Sequence, residues 1–129
     1  MIFIDASFFI ALANDKDQWH IQTPKVLSQI QNQEQITSLL TLSEALTHIG
    51  SLRGGKNGKK LYDYIVETNE VIHPSEKLCS NSMAKYLMYD GTLSFADVVS
   101  LEIMETQGID TIVSFDSDFD KVQGIKRIH

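Results

Sequence analysis

The sequence predicts an α/β domain with a central parallel sheet, and three observations carry that prediction. Short apolar runs of strand character recur near residues 1–4, 35–39, 70–73, 111–115 and 124–128. Between them lie segments with apolar residues at helical spacing. No hairpin turn signal joins two of the strands, so each crossover passes through a helix and the strands run parallel. In sheets of this kind ligands sit beyond the carboxyl ends of the strands. Asp5 and Asp116 follow strands directly, and Glu44 follows one across a short turn.

The first strand runs straight into Asp5 and Ser7, which delivers two oxygen-bearing side chains to one edge of the sheet. Ser7 is placed to cap a short apolar helix, Phe8 to Ala13, that stops at the polar run 14–17. Trp19 to Gln31 carries Val26, Leu27 and Ile30 at helical spacing, with Pro24 early in the helix or kinking it and His20 at its start. After the second strand, Thr41 to Glu44 has the form of a capping box, and Leu42, Ala45, Leu46, Ile49 and Leu52 make one apolar stripe behind it. Glu44 would then be the third helical residue, a position that helix chemistry alone accounts for. The stretch from Arg53 to Lys60 is basic and glycine-rich and reads as a connection between two helices. Its glycine spacing fits neither a dinucleotide fingerprint nor a phosphate loop. Arg53, Lys56, Lys59 and Lys60 are nonetheless the best-clustered cations available for a phosphate backbone.

Leu61, Tyr64 and Ile65 continue as a helix, and Glu70 to His73 is a short strand closed by Pro74, with His73 packed or capped at its end. Ser75 caps a helix through Leu78, Cys79, Met83, Tyr86 and Leu87, whose Met, Tyr and Cys residues read as core, stopping near Asp90 and Gly91. Ser94 to Asp97 is a second capping box. It opens a helix from Phe95 to Gln107 that is apolar on most sides and must be largely buried, so its N-terminal acid faces a partner or a metal. Gly108 ends that helix. Thr111 to Phe115 is a buried strand followed at once by Asp116 and Asp118, and residues 124–128 suit a final edge strand.

Composition bounds the function without naming it. The 129 residues, 43% of them apolar, suffice for one domain over residues 1–129 with one core. A formal charge of −6 argues against a surface that is all nucleic-acid footprint. Setting aside Asp5, Glu44, Asp97, Asp116 and Asp118 takes that charge from −6 to about −1, so an acidic pocket on a nearly balanced surface accounts for it. Cys79 is the only cysteine, which excludes an intramolecular disulfide and suits a reducing compartment. Residues 2–13 lack the basic flank of a signal peptide, and no stretch approaches the roughly 18 apolar residues of a membrane span. The expectation is a soluble cytoplasmic protein.

Four carboxylates aimed at one place raise each other's pKa and cannot all stay ionised without a counter-charge. A divalent cation resolves that conflict. Mg²⁺ or Mn²⁺ takes oxygen ligands and usually keeps waters, whereas the cysteine and histidines form no zinc spacing; Glu44 and His48 are i, i+4 neighbours, a pair frequent by chance. An all-oxygen site with no dedicated histidine base suits phosphodiester hydrolysis, and two helix N-termini favour an anionic substrate. No nucleophile elbow supports a Ser-His-Asp mechanism.

At this point the residues resemble a known family. Ile4-Asp5-Ala-Ser7, Glu44 at a helix start, Leu93 to Asp97, and Ser114 to Phe119 look like the PIN domain, and the whole is similar to toxins of the VapC kind. The likeness covers essentially the entire chain. It implies a three-layer α/β/α domain, a Mg²⁺- or Mn²⁺-dependent ribonuclease, a homodimer, and a cognate antitoxin that enters the active-site groove. Carried over by position, the catalytic, metal-binding acids would be Asp5, Glu44, Asp97 and Asp116, with Ser7 and Asp118 in support.

Other readings fit less well. A haloacid-dehalogenase-type phosphatase needs a second Asp where this chain has Ser7, and an integrin-type metal site needs a serine where it has Phe9. A receiver domain would want an acid pair near the start and a Lys near the last strand. A catalytically silent PIN-like module for RNA or protein, or a PIN nuclease of RNA processing without an antitoxin, remains the alternative.

Overall fold

Side chains along a strand alternate between its two faces, and here the alternation sorts two cores. In the computed structural model, which describes residues 1–129, Ile2 and Ile4 of the first strand (β1, Ile2–Ile4) enter one core and Phe3 enters the other. The last central strand (β4, Thr111–Val113) does the same, with Val113 on the first side and Ile112 on the second. The other strands are β2 (Gln35–Ser38), β3 (Glu70–Ile72) and β5 (Lys126–Ile128). Their order is β3-β2-β1-β4-β5, and every pairing is parallel.

Helices cover both faces. The first core lies under α1 (Ala6–Ala13), α2 (Thr23–Ile30) and α3 (Leu39–Thr68), through Phe8, Phe9, Val26, Ile30, Ala45, Ile49 and Ile65. The second lies under α5 (Phe95–Gln107), through Val98, Val99, Leu101, Ile103 and Met104, with α4 (Glu76–Met88) packed against α5. The result is the three-layer α/β/α arrangement. None of its helices is long and apolar enough to cross a membrane.

Several local expectations need correction, each because a tertiary contact outweighs a local pattern. Asp5, not Ser7, caps α1, which therefore starts at Ala6. A 3₁₀ turn at His20–Gln22 precedes α2, and Pro24 sits in the first turn of that helix rather than at a kink. The cap of α3 is Ser38, whose side chain accepts from the Thr41 N–H, so no capping box spans Thr41 to Glu44 and Glu44 stands inside the helix. Between the two halves of α3 there is no loop. A single non-helical residue, Gly54 at φ 83°, ψ 166°, makes the bend, in a region of φ that glycine adopts without strain. On α4, Ser75 caps as expected, but Met83, Leu87 and Met88 are exposed and Cys79 is half-buried rather than core. That helix is a peripheral layer with one face to solvent. His73 is likewise exposed.

Candidate active site

The site begins with a buried charge. Asp5 follows β1, its N–H donates to the Val113 carbonyl at 3.0 Å, and its carboxylate is almost wholly covered at 7% exposure. Burial raises its pKa, and donors from two serines work against that rise. Ser7 Oγ and Ser114 Oγ each donate to Asp5 Oδ2 at 2.7 Å. The two hydroxyls lie 3.1 Å apart, and Ser7 Oγ also accepts from the Phe115 N–H at 2.9 Å. A carboxylate in low dielectric is tolerable only when hydrogen-bonded in this way. Ser7 was expected near the site from the sequence; Ser114 was not. Its signal was its place at the end of β4, two residues before Asp116.

Asp116 is set by the same serine, since its N–H donates to Ser114 Oγ at 3.0 Å. Its Oδ1 accepts from the Asp118 N–H at 2.9 Å, which starts a 3₁₀ turn over Ser117–Lys121. Asp118 thus supports the loop through its backbone, while its carboxylate pairs with Lys121 at 3.3 Å. Arg127 on β5 is a second residue missed in the sequence: its Nη1 donates to the Ser114 carbonyl at 3.1 Å while Nε and Nη2 hold Asp120.

Asp97 completes a true capping box. Ser94 Oγ accepts from the Asp97 N–H, and Asp97 Oδ2 accepts from the Ser94 N–H, both at 3.1 Å. A capping carboxylate at a helix start would ordinarily have a lowered pKa. Here it is raised to about 6, by burial first and by the charge of Asp5 next, with Asp116 adding to it against the Ser94 hydrogen bonds. Glu44 is raised as well, by partial burial and then by Asp5 and Asp116, although its side chain reaches solvent. Asp5, Glu44, Asp97 and Asp116 therefore share one electrostatic neighbourhood at the carboxyl edge of the sheet, brought there by β1, α3, α5 and the turn after β4.

That donor set suits a hard divalent cation. Every donor is oxygen, and a positive ion would reverse the upward shifts that burial and mutual repulsion impose. No three of the acids close on one another as a ready-made cage. A cation here would bind one or two carboxylates and keep waters, the habit of Mg²⁺.

The basic stretch stands apart. Arg53 lies nine residues past Glu44 on α3, roughly 14 Å along the axis. It hydrogen-bonds Asn14 and forms an ion pair with Asp15, Lys59 bridges to Asp63, and Lys56 and Lys60 are exposed.

Among solved structures, the chain is similar to a sarcin-ricin-loop-cleaving toxin, VapC20 of Mycobacterium tuberculosis, with a TM-score of 0.86 at 24% identity over 94% of both chains. A toxin-antitoxin complex from Klebsiella pneumoniae matches at TM-score 0.73 and 15% identity, over 100% of this chain and 97% of that one. VapBC2 of Rickettsia felis, bound to a fragment of its promoter DNA, matches at 0.70 and 13%, over 99% and 98%. No curated protein matches the chain in sequence. The family model for the PIN domain matches residues 2–125, nearly the whole chain, and the chain belongs to the PIN domain family.

Proposed function

We propose that this protein is a divalent-metal-dependent endoribonuclease and the toxin of a type II toxin-antitoxin pair. The observation that carries the catalytic part is the shared field of the four acids: Asp5 and Asp116 both push up Glu44 and Asp97. Such a cluster disfavours its own ionised state, and it persists to advantage where a cation and a phosphate complete it. Asp5, Glu44, Asp97 and Asp116 are the proposed ligands. When bound, Mg²⁺ or Mn²⁺ would supply Lewis acidity and neutralise charge building on the phosphate.

The chain's own residues have separate tasks. Ser7 and Ser114 orient Asp5 and offset part of the upward shift that burial imposes on it. Asp97, half-protonated near pH 6 without metal, is a group whose charge state a bound cation would change. Water attacks the phosphorus, the P–O3′ bond breaks, and the products are a 5′-phosphate and a 3′-hydroxyl. The similarity to toxins and toxin-antitoxin complexes supports a cognate antitoxin as partner. The same reading proposes one domain over residues 1–129, working as a cytoplasmic homodimer.

Purified protein should cleave structured RNA with Mg²⁺ or Mn²⁺ and stop with EDTA. End-group analysis decides the chemistry. A 2′,3′-cyclic phosphate product overturns the proposal, because the RNA's own 2′-hydroxyl would then have been the nucleophile.

A further inference from the structure

We propose that the cleft beside the acids, walled by Trp19 and Phe115, is a base-stacking subsite that holds one unpaired nucleobase of the RNA next to the phosphate to be cut. The inference rests on the ribonuclease reading above and adds a specificity-determining residue to it. The cleft has a volume of about 290 Å³, and its lining includes Ser7, Asp17, Trp19, His48, Phe115 and Asp116. Ser7 and Asp116 also belong to the acid site, so the cleft adjoins it.

The aromatic wall is built rather than incidental. The Trp19 indole lies on the Phe115 ring with centroids 5.7 Å apart and planes 9° from parallel. Phe115 in turn meets the buried Phe8 ring at 6.2 Å, which ties the stack to the core. Trp19 still keeps 38% of its surface exposed. The segment that carries it is fastened on both sides. Its N–H donates to Asp17 Oδ1 at 2.8 Å, the His20 N–H donates to the Asp17 carbonyl at 3.0 Å, and His20 Nδ1 is bonded to the Ala11 carbonyl at 2.7 Å. A stacking surface held in place this way needs little ordering when a ligand arrives. His48 adds a third planar ring to the lining, one turn past Glu44 on the same side of α3.

Charge decides what the cleft can accept. Its lining holds Asp17 and Asp116 but neither Lys nor Arg, so it repels phosphate. A neutral base suits it, with amino groups to donate to a carboxylate or to the Gln18 amide at the same wall. The base must be unpaired, since a base inside a duplex offers no free face. Stacking of this kind tolerates any base; the two acids favour those with an amino group.

Trp19 is the only tryptophan in the chain, so its fluorescence reads the subsite without a label. In the cold with Mg²⁺, a single-stranded RNA hexamer should quench it saturably before product forms, and the quench should vanish when one particular nucleotide is made abasic. Trp19→Ala should bind the hexamer about tenfold or more weakly and raise KM while kcat stays within about threefold. Trp19→Phe should restore most of that loss, and thermal melts of both variants establish that they fold. If RNA is bound and cut but the parent's Trp19 fluorescence does not respond to it and Trp19→Ala keeps the parent's KM, the subsite is wrong and the nuclease reading stands. If RNA is neither bound nor cut, both fall together. Quenching by peptides alone overturns the subsite and makes the cleft a protein-binding one.

Discussion

Asp97 carries two opposed roles in one side chain, a helix cap and a member of an acid cluster, and the balance between them is measurable. Its folded pKa, about 6, lies above the 3.8 ordinary for an aspartate. A raised acid leaves stability untouched below its unfolded pKa and lowers it as pH climbs from about 4 to about 6, where the unfolded chain has already given up the proton. The two-unit shift corresponds to about 3 kcal/mol at most, and partial solvent access reduces it to about 1–2 kcal/mol. Losing the charge at the helix start costs roughly 0.3–1 kcal/mol. Without metal, Asp97→Asn should therefore melt at or above the parent at pH 7 and lose that advantage by pH 4. Added Mg²⁺ or Mn²⁺ should raise the parent's melting point more than the variant's, because only binding to the folded state stabilises it. A variant that melts well below the parent in EDTA, gains as much from metal and still cuts RNA would make Asp97 a cap and nothing more.

Helix α3 separates capping from the proposed catalytic role more cleanly, because the two fall on different residues. Ser38 accepts from the Thr41 N–H at 3.2 Å and is fully buried, so Ser38→Ala should destabilise by about 1 kcal/mol and lower the melting temperature by a few degrees. Glu44 makes no cap contact, and its neighbours Asp5 and Asp116 repel it. Glu44→Gln should accordingly leave the metal-free melting point unchanged or higher while cleavage falls by at least tenfold. A drop in stability like that of Ser38→Ala would return Glu44 to a purely structural role. The bend at Gly54 then turns the second half of α3, so that a Cβ placed on Gly58 would meet the Gly50 Cα at 3.8 Å, and Lys56 and Lys60 face solvent.

Across the whole molecule, charge is divided between an acidic sheet edge and a basic patch roughly 14 Å away along α3. An RNA reaching both would lay its backbone over α3. Two of the four cations are already engaged, Arg53 with Asp15 and Lys59 with Asp63, so the exposed pair is the better test. Replacing Lys56 and Lys60 by Gln should weaken RNA binding alike for all sequences and flatten the slope of log K against log salt by roughly 1 to 2 units. An unchanged slope would leave the patch as a solvated turn of helix.

The strands, their parallel pairing, the Ser94–Asp97 cap and the Gly108 stop were legible in the sequence, because hydrophobic period and cap chemistry are local properties of a few consecutive residues. So was the meeting of Asp5 and Asp116, since strand ends in a parallel sheet share one edge whatever the loops do; Asp97 and Glu44 join them from α5 and α3. The boundary of α3, the exposure of α4 and the partners of Asp5 were not. Ser38 displaced Thr41 as the cap because β2 ended one residue sooner than its apolar run suggested. The apolar residues of α4 look like core in sequence, yet only one side of that helix meets α5. Ser114 reaches Asp5 across 109 positions of sequence, and Trp19 reaches Phe115 across 96. Contacts at such separation leave no periodicity behind. They come from the order in which β1 and β4 pair, and that order is decided only when both cores are buried at once.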